Sequence, residues 1–426
     1  MAARLGVDRR LLLVMLAIAG AGLALRAAYV LLVAERVPGL GDAEELHGLA
    51  NVIADGRGYV NPFAPPGTEA EPTAHKPPLY PLLLAGVSAL GGQGWTAHQL
   101  ASALMGTATV LVLGLLGLRI AGPRAALIAA GLGAVYPAFV ARDASLHSET
   151  LAALLVALAL LTAWWAHERP TTARLALLGG VIGLAGLARS EGVLLLVLLA
   201  LPVVWHRAGP RRTRGLAVVV GACVLVLTPW LVRCWIAFDQ PVAITTSSGD
   251  LLAGANCAEV YGGPLIGQWA FNCVLGEQGA NEAEIGNRLR DRGLRYAREH
   301  TGRLPAVLTA RALRPWGLYR PSQEVGLQRL GGGGPRVMGW LGLVVAWILL
   351  PAAVAGAVLL RRRGRPLAIL LAPIALVVVL SLAAYGILRF RAAADVTILL
   401  LAAVALDAVV GRRMTSRVGA SPRSRH

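Results

Sequence analysis

Lys76 is the only lysine among the forty Lys and Arg residues of this chain. It lies in Thr73-Ala74-His75-Lys76-Pro77-Pro78-Leu79-Tyr80-Pro81, downstream of Gly41-Asp42-Ala43-Glu44-Glu45. A compact ammonium kept beside carboxylates suits one chemistry above others, the transfer of a group away from a lipid-linked phosphate. A carboxylate takes the proton of an acceptor hydroxyl, and does so better if burial raises its pKa. Fixed cations neutralise the charge that develops on the departing phosphate. Asp42 is therefore the candidate base and Lys76 the candidate phosphate contact. His75, Glu44 and Tyr80 are candidate substrate contacts from the same stretch.

Other ionisable residues gather farther along. Arg142, Asp143, His147, Ser148 and Glu149 form one group, Arg189 and Glu191 another. Arg233 stands alone, and Arg389 and Arg391 share Leu388-Arg389-Phe390-Arg391. Of these, Glu149 is the candidate second carboxylate, and Asp143, Arg233, Arg389 and Arg391 are candidate substrate contacts. Plainer readings stand beside them. Glu44, Glu45, Glu69 and Glu71 also read as a solvated face. His47 and His98 read as hydrogen-bonding fillers, Arg189 and Glu191 as an ordinary ion pair, and Arg389 and Arg391 as anchors for lipid headgroups. Asp42, His75 and Glu149 could together bind a divalent ion, the imidazole favouring zinc or a transition metal, although cations over a phosphate let it depart without one.

The elements that must position these residues are membrane helices. The chain is 56% hydrophobic and 15% charged, with mean hydropathy +0.63, against about 25% charged residues in soluble domains. Ten apolar runs approach the roughly 20 residues that a bilayer core requires: 11–33, 97–118, 125–141, 146–166, 174–188, 192–206, 215–236, 337–360, 366–388 and 393–411. The first is too long for a cleaved signal peptide and reads as an anchor. A shorter run, 79–90, is bracketed by Pro77-Pro78 and Gly91-Gly92 and reads as a helix lying in the interface.

Charge fixes the orientation expected of these spans. With residue 1 cytoplasmic and ten alternating spans, twenty basic residues, from Arg4 to the arginines of the tail, face only Asp8 and Glu168 on the inner side. This is the positive-inside pattern, so the net charge of +17 records topology and gives no ground for a nucleic-acid partner. Counting 79–90 as a span would put Arg119 and Arg124 outside and scatter that bias. The expectation is ten spans, both termini cytoplasmic, and every candidate site residue at the outer edge.

Three regions follow: a membrane module over 1–236 whose first outer loop is 34–96, an outer segment over 237–336, and C-terminal spans with a basic tail over 337–426. The outer segment opens on a Gly/Ser/Asn-rich stretch from Thr245, carries a helical pattern over 281–314, and ends at a glycine joint, 331–334. Cys257 and Cys273 lie within it, where an oxidising compartment would permit a disulfide. Spacing alone leaves their pairing open.

These motifs resemble the C-type membrane glycosyltransferases, in particular the family 39-like group of protein O-mannosyltransferases and lipid A aminoarabinose transferases. Gly41-Asp42-Ala43-Glu44-Glu45 is similar to that family's acidic motif, and His75-Lys76-Pro77-Pro78-Leu79-Tyr80-Pro81 to its Lys-Pro-Pro element, which a juxtamembrane helix follows. Ser145-Leu146-His147-Ser148-Glu149 resembles the second acidic motif. Pro229-Trp230-Leu231-Val232-Arg233 and Gly249-Asp250-Leu251-Leu252-Ala253-Gly254-Ala255-Asn256 resemble two further stretches. His75 stands where the family often has an acid, and Ala255 where it has Asn. The resemblance implies an all-α helical bundle. It implies an inverting enzyme of the plasma membrane that takes a monosaccharide from a polyprenyl-phosphate donor to a lipid, glycan or protein acceptor on the outer face. The alternative is a transporter or lipid flippase, which would place its ionisable groups near the membrane midplane.

Overall fold

The computed structural model describes residues 8–34, 41–64, 71–207, 209–330 and 334–418. Arg4, Glu69, the glycines 331–333 and the tail from 419 lie outside the described residues. The architecture is all-helical. The one β-type pairing among the described residues is an isolated antiparallel bridge between Val60 and Pro72.

The long apolar runs become α1 (Arg9–Leu32), α4 (Trp95–Ala121), α7 (Glu149–Glu168), α10 (Arg212–Phe238), α15 (Arg336–Arg362) and α17 (Ala392–Val418). Short turns over 190–200 run on into α9 (Leu201–Arg207) and complete another span, Ser190–Arg207. Among the described residues, seven helices are long and apolar enough to cross a membrane, or eight if the bent pair α5 (Pro123–Val135) and α6 (Pro137–Asp143) counts as one. The chain is thus a multi-pass membrane protein, and the expected count of ten is not confirmed. The runs at 174–188 and 366–388 form α8 (Thr172–Ala188) and α16 (Leu367–Ala383), 17 residues each. Such helices are about 25 Å long, at the lower limit for crossing a bilayer core of about 30 Å.

Three local features carry the first loops to one end of the bundle. The acidic motif opens α2 (Asp42–Ala54), whose first turn holds Asp42, Glu44 and Glu45, where negative side chains suit the positive end of the helix dipole. The run after Pro77-Pro78 forms α3 (Leu79–Ala89), an 11-residue helix well short of a span. α5 and α6 bend by 53° at Pro137, which has no N–H to give. The chain then turns through Leu146, whose φ of 52° is unusual for a branched residue, and delivers Glu149 to the start of α7.

In the segment over 237–336, α11 (Ser248–Ala255) packs on α12 (Glu282–Glu299) so closely that a Cβ on Gly249 would lie 2.0 Å from the carbonyl oxygen of Gly286. The helical pattern over 281–314 divides at His300–Arg303. There Pro305 in the first turn of α13 (Leu304–Leu313) withholds an N–H and starts a new helix. A final helix, α14 (Pro321–Leu330), leads to α15. Cys257 and Cys273 are joined as a disulfide.

Candidate active site

α2, the His75–Lys76 segment, the start of α7 and the turn before α17 converge on one cavity of about 340 Å³. Asp42 stands on its wall. Its Oδ1 lies 2.8 Å from Lys76 Nζ and its Oδ2 lies 2.6 Å from Arg389 Nη2. Arg389 turns its Nε to Glu149 Oε1 at 3.3 Å, so one guanidinium spans both candidate carboxylates. Glu149 is also met by Arg189 Nη1 at 2.8 Å, and Arg189 Nε meets Glu191 at 2.5 Å.

Lys76 is held in place by its own backbone. Tyr59 donates its hydroxyl to the Lys76 carbonyl at 2.9 Å, and Thr245 donates to the His75 carbonyl at 2.6 Å. Arg233 donates to the carbonyls of Thr73, at 2.6 Å, and Tyr59, at 2.5 Å, with its guanidinium over the Tyr59 and Trp230 rings. Arg233 thus clamps the segment that carries Lys76 and does not line the cavity.

The charges are tightly coupled. Burial works against the charge on Asp42, but Lys76 and Arg389 outweigh it and hold its carboxyl well below the usual carboxylate range. This corrects the expectation of a carboxyl raised by burial: in this arrangement Asp42 is a weak base. His75 donates to Glu45 at 2.7 Å through Nδ1 and to Asp250 at 2.9 Å through Nε2. Burial and Lys76 oppose its protonation, yet the two carboxylates push its pKa up to about 9. The imidazole is therefore an imidazolium at neutral pH, with both nitrogens occupied as donors. Burial, then Arg389, lowers the pKa of His147, which lines the cavity as a neutral ring.

Asp42, His75 and Glu149 do not form a metal set. Both oxygens of Asp42 face cations, His75 has no free nitrogen lone pair, and Glu149 faces two guanidiniums. Among the described residues no group of three His, Cys, Asp or Glu side chains is arranged to hold a metal ion.

The remaining candidates lie elsewhere. Tyr80 is fully buried and shares a 2.6 Å hydrogen bond with Ser102. Asp143 is buried against Arg26, Nε to Oδ2 at 2.6 Å, and accepts from Thr150 at 3.0 Å. A Cβ on Gly106 would come within 1.8 Å of its Oδ2, so α4 leaves room for that carboxylate only with glycine there. Glu44 does not line the cavity, and Arg391 pairs with Asp395. Conversely, Glu45, Asp250, Arg189 and Glu191 line the cavity, although the sequence reading left them outside the site. Glu45 had a usable signal: once a helix starts at Asp42, the i and i+3 positions share a face, which selects Glu45 over Glu44.

Residues 75–233 match a family model described as dolichyl-phosphate-mannose-protein mannosyltransferase. That stretch begins at His75 and ends at Arg233, so Asp42 and Arg389 reach the site through the fold. No curated protein sequence matches the chain. Among solved structures, the oligosaccharyltransferase of Archaeoglobus fulgidus in its apo form superposes with a TM-score of 0.58 at 17% identity, over 97% of this chain and 52% of that one. The archaeal oligosaccharyltransferase AglB of the same organism, in complex with an inhibitory peptide and a dolichol-phosphate, gives 0.55 at 17%, over 98% and 52%. ArnT from Cupriavidus metallidurans bound to undecaprenyl phosphate gives 0.44 at 15%, over 92% and 77%. The chain spans about half the length of the archaeal enzyme. Its fold is that of the C-type membrane glycosyltransferases.

Proposed function

We propose that this chain, with the fold of a C-type membrane glycosyltransferase, moves a monosaccharide from a polyprenyl-phosphate donor to an acceptor hydroxyl or amine, with inversion, at the outer face of the plasma membrane. The observation that carries the reading is Asp42, held between Lys76 and Arg389 on the wall of a cavity. A donor phosphate competes with Asp42 for those two cations. As they move to the phosphate, Asp42 loses the partners that depress its pKa and becomes a stronger base when the acceptor is beside it. The acceptor oxygen or nitrogen attacks the anomeric carbon, and the bond from that carbon to the phosphate oxygen breaks on the opposite side. Its electron pair stays on the phosphate, covered by Lys76 and Arg389, and the acceptor proton passes to Asp42. Glu149 holds Arg389 in register, and Arg233 holds Lys76.

Three further observations support this reading. Dolichol-phosphate is bound by the archaeal relative of the same fold. Glu149 opens α7 and Arg389 lies just before α17, so the charges sit at helix ends, whereas a transporter would need them at the midplane. The Cys257–Cys273 disulfide suits an oxidising outer compartment.

The test presents radiolabelled polyprenyl-phosphate monosaccharides to membranes containing wild-type or Asp42→Asn protein. Transfer by wild type alone supports the enzyme and names the donor. A folded wild type that transfers from no donor gives the place to the transporter reading.

A further inference from the structure

Arg391 was singled out by the sequence beside Arg389, yet it enters a different environment. Its Nε pairs with Asp395 Oδ1 at 2.8 Å, while Arg142 Nη2 pairs with Asp395 Oδ2 at 3.3 Å and Tyr136 donates to the same carboxylate at 3.2 Å. One carboxylate thus serves two guanidiniums. Arg142, Arg391 and Asp395 are 7%, 3% and 0% exposed. The adjacent Asp143 does not supply the missing charge, because it is committed to Arg26, itself fully buried. Three buried guanidiniums therefore face two buried carboxylates.

The excess charge is matched by excess donors. Nη1 of Arg142 and Nη1 of Arg391 are both buried without a hydrogen-bond partner. Both residues line one small cavity of about 10 Å³, walled by Gln328, Met338, Leu343 and Leu388, with no carboxylate among its described lining residues. An uncompensated buried charge is strongly destabilising, and unpaired buried donors add to the penalty. A water would fill the space and leave the charge.

We propose that this cavity binds a single halide ion of the size of chloride, held by the two guanidiniums and balancing their excess charge. The space admits about one water-sized sphere; chloride is only slightly larger and enters with a small outward shift of the lining side chains, whereas phosphate, sulfate and carboxylates do not. The site is separate from the donor phosphate contacts. It fixes the Leu388–Arg391 turn from its inner end while Asp42 and Glu149 hold Arg389 on the cavity side.

The experiment measures thermal unfolding of the detergent-purified full chain in chloride, bromide or gluconate salts, at one pH and one ionic strength. Gluconate is too large for the cavity. Wild type should melt about 2–4 °C higher in saturating chloride or bromide than in gluconate, with a saturable dose response. Arg142→Met, which leaves the Arg391–Asp395 pair neutral, should melt alike in all three salts. Equal melting of wild type in the three salts overturns the proposal, as does an undiminished halide effect in Arg142→Met. Should Arg142→Met fail to fold, Arg391→Met replaces it, and the wild-type comparison still decides.

Discussion

Two ionic clusters stand at the same end of this bundle, and both set guanidiniums against carboxylates. One joins Asp42, Lys76, Glu149, Arg189 and Arg389; the other joins Arg26, Asp143, Arg142, Arg391 and Asp395. They differ in access. In the first, the side chains of Asp42 and Arg389 are 35% and 25% exposed and face a cavity of about 340 Å³. In the second, every carboxylate is buried and the space beside it holds one small sphere. Ion pairs with access to solvent can exchange partners, so their cations are available to a ligand. Ion pairs sealed among helices cannot exchange without exposing an unpaired charge, so they serve to fix the helices.

Breaking one member of each cluster should give opposite phenotypes. Asp42→Asn removes the proposed base and should lower turnover by about 10²–10⁴-fold, with donor binding kept or tightened, because the competing charge is gone, and thermal unfolding close to wild type. Donor turnover measured beside a melting curve checks this. A variant with full activity removes Asp42 from the chemistry, and loss of turnover in His147→Gln instead would move the base to that neutral ring. Arg26→Met leaves Asp143 buried without its partner and should cost about 3–5 kcal/mol of stability. Its melting curve should fall, and the double change with Asp143→Leu should recover much of the loss. If Arg26→Met melts like wild type, the sealed cluster has no structural role.

Lys76→Ala should raise the apparent donor constant by about 10–100-fold, the loss expected for one charged hydrogen bond, with little change in unfolding temperature. Titration with a donor analogue measures it, and an unchanged constant removes Lys76 from the phosphate. The smallest effect concerns His75. Its pKa is about 9 in the folded chain, against an ordinary value of about 6.5. The stabilisation from its pairs with Glu45 and Asp250 is therefore fully present below about pH 6.5 and is lost as pH rises through 9. Between those limits wild type should lose stability relative to His75→Gln. Parallel pH profiles for the two proteins would mean that the imidazole is not charged between its carboxylates.

Much of the frame was legible because it depends on local composition. Each of the ten apolar runs folds as helix, and the short run after Pro77-Pro78 forms a helix too short to span. The count of spans was less legible. The stretches that became α8 and α16 are as apolar as their neighbours, yet each helix stops at 17 residues, because the point at which a helix stops depends on the turns and contacts that follow it. The pairing of Cys257 with Cys273 was open for a related reason: it requires the two residues to meet, which spacing does not dictate.

At the site, the sequence singled out Asp42, Lys76 and Glu149 and offered Arg389 among several substrate contacts, because ionisable residues next to apolar runs are rare and costly. It could not distinguish Arg389 from Arg391. The two are neighbours in one short turn, but opposite sides of that turn face the open cavity and the sealed cluster. It also offered Arg233 as a substrate contact, where the fold uses it to clamp the backbone before Lys76. The sequence by itself determined that this is a helical membrane protein with a lysine and carboxylates gathered in its polar loops, since hydrophobic run length and residue type are local properties. Only the tertiary structure decided which charges remain accessible and which are sealed, because a side chain's partner and its exposure are set by residues such as Arg26 and Asp143, far apart in the chain and adjacent only when the helices pack.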